Sequence, residues 1–149
     1  MICTCGNDRF YGHQIVRVDV IVDTGAQSSV GNLALQQMVM KRRQNRMPLM
    51  PTVLNAVSGE AVPAMRTAIK AIQINGLDVT DLRVSFADSQ AFRALGLQER
   101  PALLLGMDGL AVFDRIEIDF PNKRVVFDPP SSAGNKPFMR PATGGRLSS

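Results

Sequence analysis

Asp23-Thr24-Gly25 is the group of residues in this chain best able to do chemistry. It closes an apolar stretch (Val18, Val20, Ile21, Val22) and precedes Ala26-Gln27-Ser28-Ser29-Val30. A carboxylate at the end of a buried strand has to be hydrogen-bonded, paired or partly protonated, because burial penalises its charged form. A strand running into a turn would also use Asp and Gly, and composition alone yields Asp-Thr/Ser-Gly in roughly one chain in fifteen of this length. The other reactive side chains do not assemble. The single His13 has no partner acid in an order that suggests a Ser/His/Asp triad. Gly106-Met107-Asp108-Gly109 lacks the Lys-Ser/Thr of a phosphate-binding loop, and no His-Glu-x-x-His helix occurs. Cys3-x-Cys5 with His13 matches no strong zinc spacing. No metal and no cofactor is expected.

A second element begins at Ala102. Ala102-Leu103-Leu104-Leu105 is a buried type of apolar run ending in Gly106, after which Met107-Asp108-Gly109-Leu110 starts a short helix. Arg115-Ile116-Glu117-Ile118-Asp119-Phe120, the turn Pro121-Asn122-Lys123 and Arg124-Val125-Val126-Phe127 follow. Both flanks of that turn alternate charged with apolar residues, the pattern of a hairpin with one buried face. An apolar strand into Asp-Thr-Gly-Ala, a hairpin in mid-chain, then an apolar pair and Gly before a short helix: in this order the chain resembles the retropepsin-like aspartyl protease family. That family comprises the retroviral-type proteases and their cellular and bacterial relatives. The resemblance covers residues 14 to 128 and implies a mostly β fold, a closed barrel of the acid-protease type with one or two short helices.

The chemistry that the resemblance implies is peptide-bond hydrolysis by activated water. An amide carbonyl is a poor electrophile, so the water must lose a proton as it attacks while the carbonyl oxygen gains one. Two carboxyl groups about 3 Å apart can do both, since like charges that close cannot both ionise and therefore share one proton. The ionised partner is the general base and the protonated partner the general acid. One Asp-Thr-Gly is present, so the scheme requires a second copy of the chain, a homodimer with Asp23 of each subunit at the two-fold axis. By the same resemblance Thr24 bonds across that axis, while Gly25 turns tightly and presents its amide to the carboxylate. Ala26 leaves room for substrate backbone, Leu105-Gly106 is the supporting strand, and the segment around Ser58-Gly59 is the flap that closes over bound peptide. The expected partners are a second copy and a peptide or protein substrate. The alternative is a catalytically inactive module of the same fold that binds peptide or dimerises. Asp108 is expected to be a polar helix-start residue rather than a catalytic one, and Gly109 to stand where a bulky apolar residue would suit the helix.

Positioning these residues falls to many short strands. The pattern predicts a strand over Gln14 to Val22, a helix capped near Asn32 and running to Arg43, and a strand over Thr52 to Val57. An extended stretch from Val62 to Ile74 leads into Asn75-Gly76, a strong hairpin signal, and Leu77 to Phe86 follows as its partner. Asp88 is expected to cap a short helix ending near Leu95. With 149 residues, one domain holding a sizeable core is expected. Residues 1–13 are poorly patterned, 14–128 form the protease-like domain, and 129–149 have the composition of a disordered tail. The net charge of +4 is largely local, in Lys41, Arg42, Arg43 and Arg46 after an apolar helical stretch, where cations complement the helix dipole. Few aromatic residues and no recognition motif accompany them, so nucleic acid is not an expected partner. No signal peptide and no membrane-length apolar stretch is visible, and a cytoplasmic location is expected.

Overall fold

Runs that are apolar on every residue and runs that alternate sort themselves into different parts of the fold. A computed structural model of the chain describes residues 18–41, 48–56, 58–74, 77–122, 124–129 and 139–141. In chain order the elements are β1 (Asp19–Val22), β2 (Val30–Gly31), α1 (Leu33–Lys41), β3 (Met50–Asn55), β4 (Ala61–Ile74), β5 (Leu77–Phe86), α2 (Gln90–Ala94), β6 (Ala102–Leu105), α3 (Met107–Leu110), β7 (Arg115–Asp119), β8 (Arg124–Asp128) and β9 (Met139–Pro141). Seven strands form the main sheet in the order β1-β6-β2-β5-β4-β3, with β9 joined to β5, and β7 and β8 make a separate two-stranded sheet. The mostly β architecture is the one expected. Three helices accompany it among the described residues, where the resemblance implies one or two; the third is the turn after Gly106, where the sequence pattern starts a short helix.

β1 and β6 run parallel, from Asp19 beside Ala102 to Val22 beside Leu105. Side chains alternate across a strand, so each strand feeds two cores. Val20, Val22, Leu103 and Leu105 enter the main cluster with Leu35 and Val39 of α1, Phe86 of β5 and Phe127 of β8. Ile21, Ala102 and Leu104 point the other way, into a smaller cluster closed by Phe92 of α2 and Leu97. Covering on both faces is the reason these two strands read as unbroken apolar runs.

β4 is long because it serves two partners. Its first part pairs with β3, from Asn55 opposite Ala61 to Met50 opposite Arg66. From Met65 onward it also pairs with β5, from Met65 opposite Phe86 to Ile74 opposite Leu77, so that Met65 and Arg66 have partners on both sides. Asn75-Gly76 lies outside the described residues, but the strands flanking it pair antiparallel as expected. Asp81, in the middle of β5, has φ of 54° and interrupts the ladder opposite Lys70. On β7–β8, Asp119 accepts hydrogen bonds from the Asn122 side chain (2.7 Å) and amide (3.2 Å), which hold its carboxyl below the usual carboxylate range.

Some local expectations are corrected. The cap of α2 is Ser89, whose Oγ accepts from the Ala91 amide at 3.3 Å. Asp88 instead turns toward the Arg93 guanidinium and forms an ion pair. β2 is only two residues long and had no periodicity to announce it, yet it bridges β5 and β6. The expected strand over Gln14 to Val22 is described from Asp19 onward, and Cys3, Cys5 and His13 lie outside the described residues, as do Arg42, Arg43 and Arg46. Of the expected tail, residues 130–138 and 142–149 also lie outside them, while Met139–Pro141 pairs with Leu77–Val79 of β5. Among the described residues no helix is long and apolar enough to cross a membrane.

Candidate active site

The parallel register of β1 and β6 brings the two sequence motifs to one place. Val22 and Leu105 are partners, so Asp23 and Gly106 leave the sheet side by side. The Asp23 amide continues the ladder for one more step by donating to the Leu105 carbonyl at 3.0 Å. The chain then turns: the Ala26 amide donates to the Asp23 carbonyl at 3.3 Å, and the Gly25 amide donates to Asp23 Oδ1 at 3.0 Å. One carboxylate oxygen is thereby held by the turn's own backbone. Asp23 is half-buried, and Thr24 and Gly25 are exposed, so the carboxyl stands at the lip of the loop. A single carboxylate so placed can accept a proton or orient a water.

Beyond the turn the loop is laid across the start of α3. The amides of Met107 and Asp108 donate to the carbonyls of Ala26 (2.8 Å) and Gln27 (3.1 Å). Gly106 is buried against this crossing. A Cβ there would lie 2.7 Å from the Ser28 carbonyl carbon and oxygen and 3.0 Å from the Ala26 oxygen, all backbone atoms with no way to yield. The close approach of loop and strand therefore requires a glycine at 106.

Gly109 is also required by space, which corrects the expectation of a bulky residue there. A Cβ at this position would meet Leu105 Cδ1 at 2.3 Å and Ser29 Oγ at 2.9 Å. Leu105 is fully buried and has nowhere to retreat. Gly109→Ala should therefore destabilise the fold by about 1–3 kcal/mol through overpacking, read as a lowered urea midpoint at unchanged slope.

Asp108 has more partners than a helix-start residue needs. Its Oδ1 accepts from the Gly109 amide at 2.7 Å and from the Ser29 hydroxyl at 2.6 Å. It also lines an open cavity of about 300 Å³ together with Val79, Asp81, Leu82, Arg83 and Val112. No property of Ser29 in the sequence marks it out: it is one serine of a polar loop, and only the strand register delivers Asp108 to it.

Ser58 and Gly59 belong to another element. They occupy the tip of the β3–β4 hairpin, where the Gly59 amide donates to the Ala56 carbonyl and the Ala56 amide to the Glu60 carbonyl, both at 2.8 Å. Gly59 has φ of +83°, a conformation that favours glycine. The structure thus gathers Asp23, Thr24, Gly25, Ala26, Leu105 and Gly106 in one unit, and carries Ser58 and Gly59 at the end of a separate ribbon. Among the described residues no group of three or more His, Cys, Asp or Glu side chains is placed to hold a metal ion.

Neither the curated proteins nor the solved structures give a match to this chain. A protein-family model described as aspartyl protease does, over residues 9–108, a span that contains both β1 with its Asp-Thr-Gly loop and β6 with the Gly106 crossing. The chain belongs to the retropepsin-like aspartyl protease family.

Proposed function

We propose that the protein is a homodimeric aspartic endopeptidase in which water is activated between the Asp23 carboxyls of two subunits. The observation that carries this reading is the Asp23 loop itself. A carboxyl at the end of a core strand, with one oxygen engaged by the Gly25 amide and the loop tip exposed, leaves its outer oxygen for a reacting water. One carboxyl cannot serve as base and acid in the same step. A second Asp23 across a two-fold axis supplies the missing group, and the pair holds one proton between them.

The neighbouring residues take roles within that scheme. Thr24, exposed beside Asp23, bonds across the axis and fixes one loop against the other. Ala26 gives the substrate backbone room. The β3–β4 ribbon with Ser58 and Gly59 at its tip serves as the flap, excluding water and pairing with substrate backbone. Exposed apolar side chains are consistent with surfaces that another chain covers: Met107, directly after Gly106, is 49% exposed and Phe120 is 69% exposed. Hydrolysis requires that the ionised carboxyl take a proton from water as the other gives one to the carbonyl oxygen, so activity should fall both when the pair is doubly ionised and when it is doubly protonated. Peptide mimics bearing a hydroxyl at the scissile position, which replace the attacking water, should inhibit.

The deciding experiment is cleavage of a diverse peptide library from about pH 3.5 to pH 7.5 at a series of protein concentrations. The expected result is a bell-shaped pH profile and a rate that rises with the square of protein concentration in the dilute range. A folded dimer that cleaves nothing at any pH would replace this reading with that of a silent peptide-binding module.

A further inference from the structure

Ser29 is a buried hydroxyl that both donates and accepts a hydrogen bond. It is 1% exposed and lies six residues beyond Asp23, at the far end of the loop. Its Oγ donates to Asp108 Oδ1 at 2.6 Å and accepts from the Gly106 amide at 3.2 Å. A hydroxyl has one proton, and here that proton goes to a carboxylate, which makes the bond charge-assisted and directional. The same Asp108 oxygen is steadied by the Gly109 amide. Ser29's own carbonyl accepts from the Ser85 amide at 3.1 Å, tying the residue to β5. The Asp23 loop is therefore pinned at both ends to one short piece of chain: at its start by Asp23 to Leu105, and at its end by Ser29 to Gly106 and Asp108.

We infer that the Ser29–Asp108 pair is a positioning device for Asp23. The Asp108 carboxylate orients the Ser29 hydroxyl, the hydroxyl holds the Gly106 amide, and the loop between the two pins is kept in the one arrangement that aims the Asp23 carboxyl. The inference rests on Asp23 being the reacting carboxyl, as proposed above. It assigns Asp108 to orientation and not to proton transfer. Backbone bonds from Met107 and Asp108 to Ala26 and Gln27 already fasten the middle of the loop, so losing the side-chain pair leaves the loop attached but loosely aimed. Loose aim matters here because two carboxyls on two chains have to meet within hydrogen-bonding distance, and displacements of about 1 Å at a reacting centre can cost on the order of a hundredfold in rate.

The test uses the full chain with Ser29→Ala, Asp108→Ala, Asp108→Asn and the double alanine variant. Two readouts are taken: kcat and KM on a cleaved peptide, and amide hydrogen exchange at Asp23, Gly25 and Gly106 against core amides of Ile69 and Val84. Ser29→Ala and Asp108→Ala should each lower kcat by about 10- to 100-fold with KM within about twofold, and speed exchange at Gly25 and Gly106 about tenfold while Ile69 and Val84 keep wild-type rates. Asp108→Asn should recover most of both losses, because its amide oxygen can accept from Ser29 and Gly109 alike. The double variant should be no worse than either single one, since both remove the same interaction. Wild-type kcat with wild-type exchange in the alanine variants would overturn the inference, as would an Asn variant as impaired as Ala, or losses that multiply in the double variant. Should Asp108→Ala fail to fold, Ser29→Ala against Asp108→Asn makes the same comparison. Exchange at Gly25 and Gly106 needs no turnover, so it decides the positioning role even if the wild-type chain cleaves nothing and the catalytic reading fails.

Discussion

Asp23→Asn should lower peptide hydrolysis by about 10⁴-fold while leaving the fold as it is. The size follows from the proposed mechanism: in the proposed homodimer the substitution strikes both carboxyls at once, removing proton transfer on both sides of the reaction, and general acid–base catalysis is worth about 10²–10⁴-fold. The structural effect should be small because the asparagine oxygen can still accept from the Gly25 amide, as Asp23 Oδ1 does. Stability should stay within about 0.5 kcal/mol of wild type, as for a substitution that leaves packing and hydrogen bonding in place. The measurement is initial rate on a cleaved peptide beside a urea titration of the same preparation. If the proposed dimer forms, mixing the variant with wild-type chains should also depress wild-type activity, because a mixed dimer would carry only one carboxyl. A purified Asp23→Asn protein that cleaves at the wild-type rate would sink the assignment.

The largest structural effect should come from Asn32, which is 3% exposed and has no free hydrogen-bonding capacity. Its Nδ2 donates to the carbonyls of Leu97 and Arg100, both at 2.6 Å, and its Oδ1 accepts from the amides of Leu35 (2.8 Å) and Ala102 (3.1 Å). One side chain therefore caps α1, closes the segment after α2 and registers the first residue of β6. Asn32→Ala strands two buried amides, the buried Leu97 carbonyl and the part-buried Arg100 carbonyl, each buried group costing about 1–3 kcal/mol when left without a partner, with water recovering part of it. A net loss of about 3–4 kcal/mol is expected, seen as a fall in the urea midpoint. Asn32→Asp should be no milder, because a carboxylate would face the Leu97 and Arg100 carbonyls with nothing to donate. A loss below about 1 kcal/mol for the alanine variant would mean that water or rearrangement replaces those four bonds.

Asn32 also shows where sequence reading succeeds and where it stops. As a helix cap it was legible, because an Asn ahead of Leu33-Ala34-Leu35 satisfies a local rule. Its grip on Leu97, Arg100 and Ala102 was not, since no local rule reaches across the sheet. The same division runs through the candidate site. Asp23-Thr24-Gly25 and Leu105-Gly106 were legible as two motifs because each ends an apolar run. That they lie side by side follows from parallel pairing of β1 with β6, a non-local choice. Ser29 and Gly109 take their meaning only from that pairing: the first is one serine among polar neighbours, and the second was expected to be bulky until the Leu105 side chain occupied the space. β4 and β5 were read nearly to their ends, since the hairpin between them is local. β2 escaped because two residues carry no period.

The division of β4 between two partners has a mechanical consequence. Ala61 to Ala64 pair with β3 alone, and β5 joins only from Met65 onward. The outer part of the hairpin is therefore a cantilever, two strands wide, rooted in a sheet several strands wide. Two-stranded ribbons are marginal on their own, so stiffness should drop abruptly at the root rather than fade along the strand. Pro51 and Pro63 lie in this ribbon and cannot donate backbone hydrogen bonds there. Bending concentrated near Met65 would swing the Ser58-Gly59 tip as a lever, with no need for a dedicated hinge loop, and the compliance of that root would set how readily the tip opens and closes.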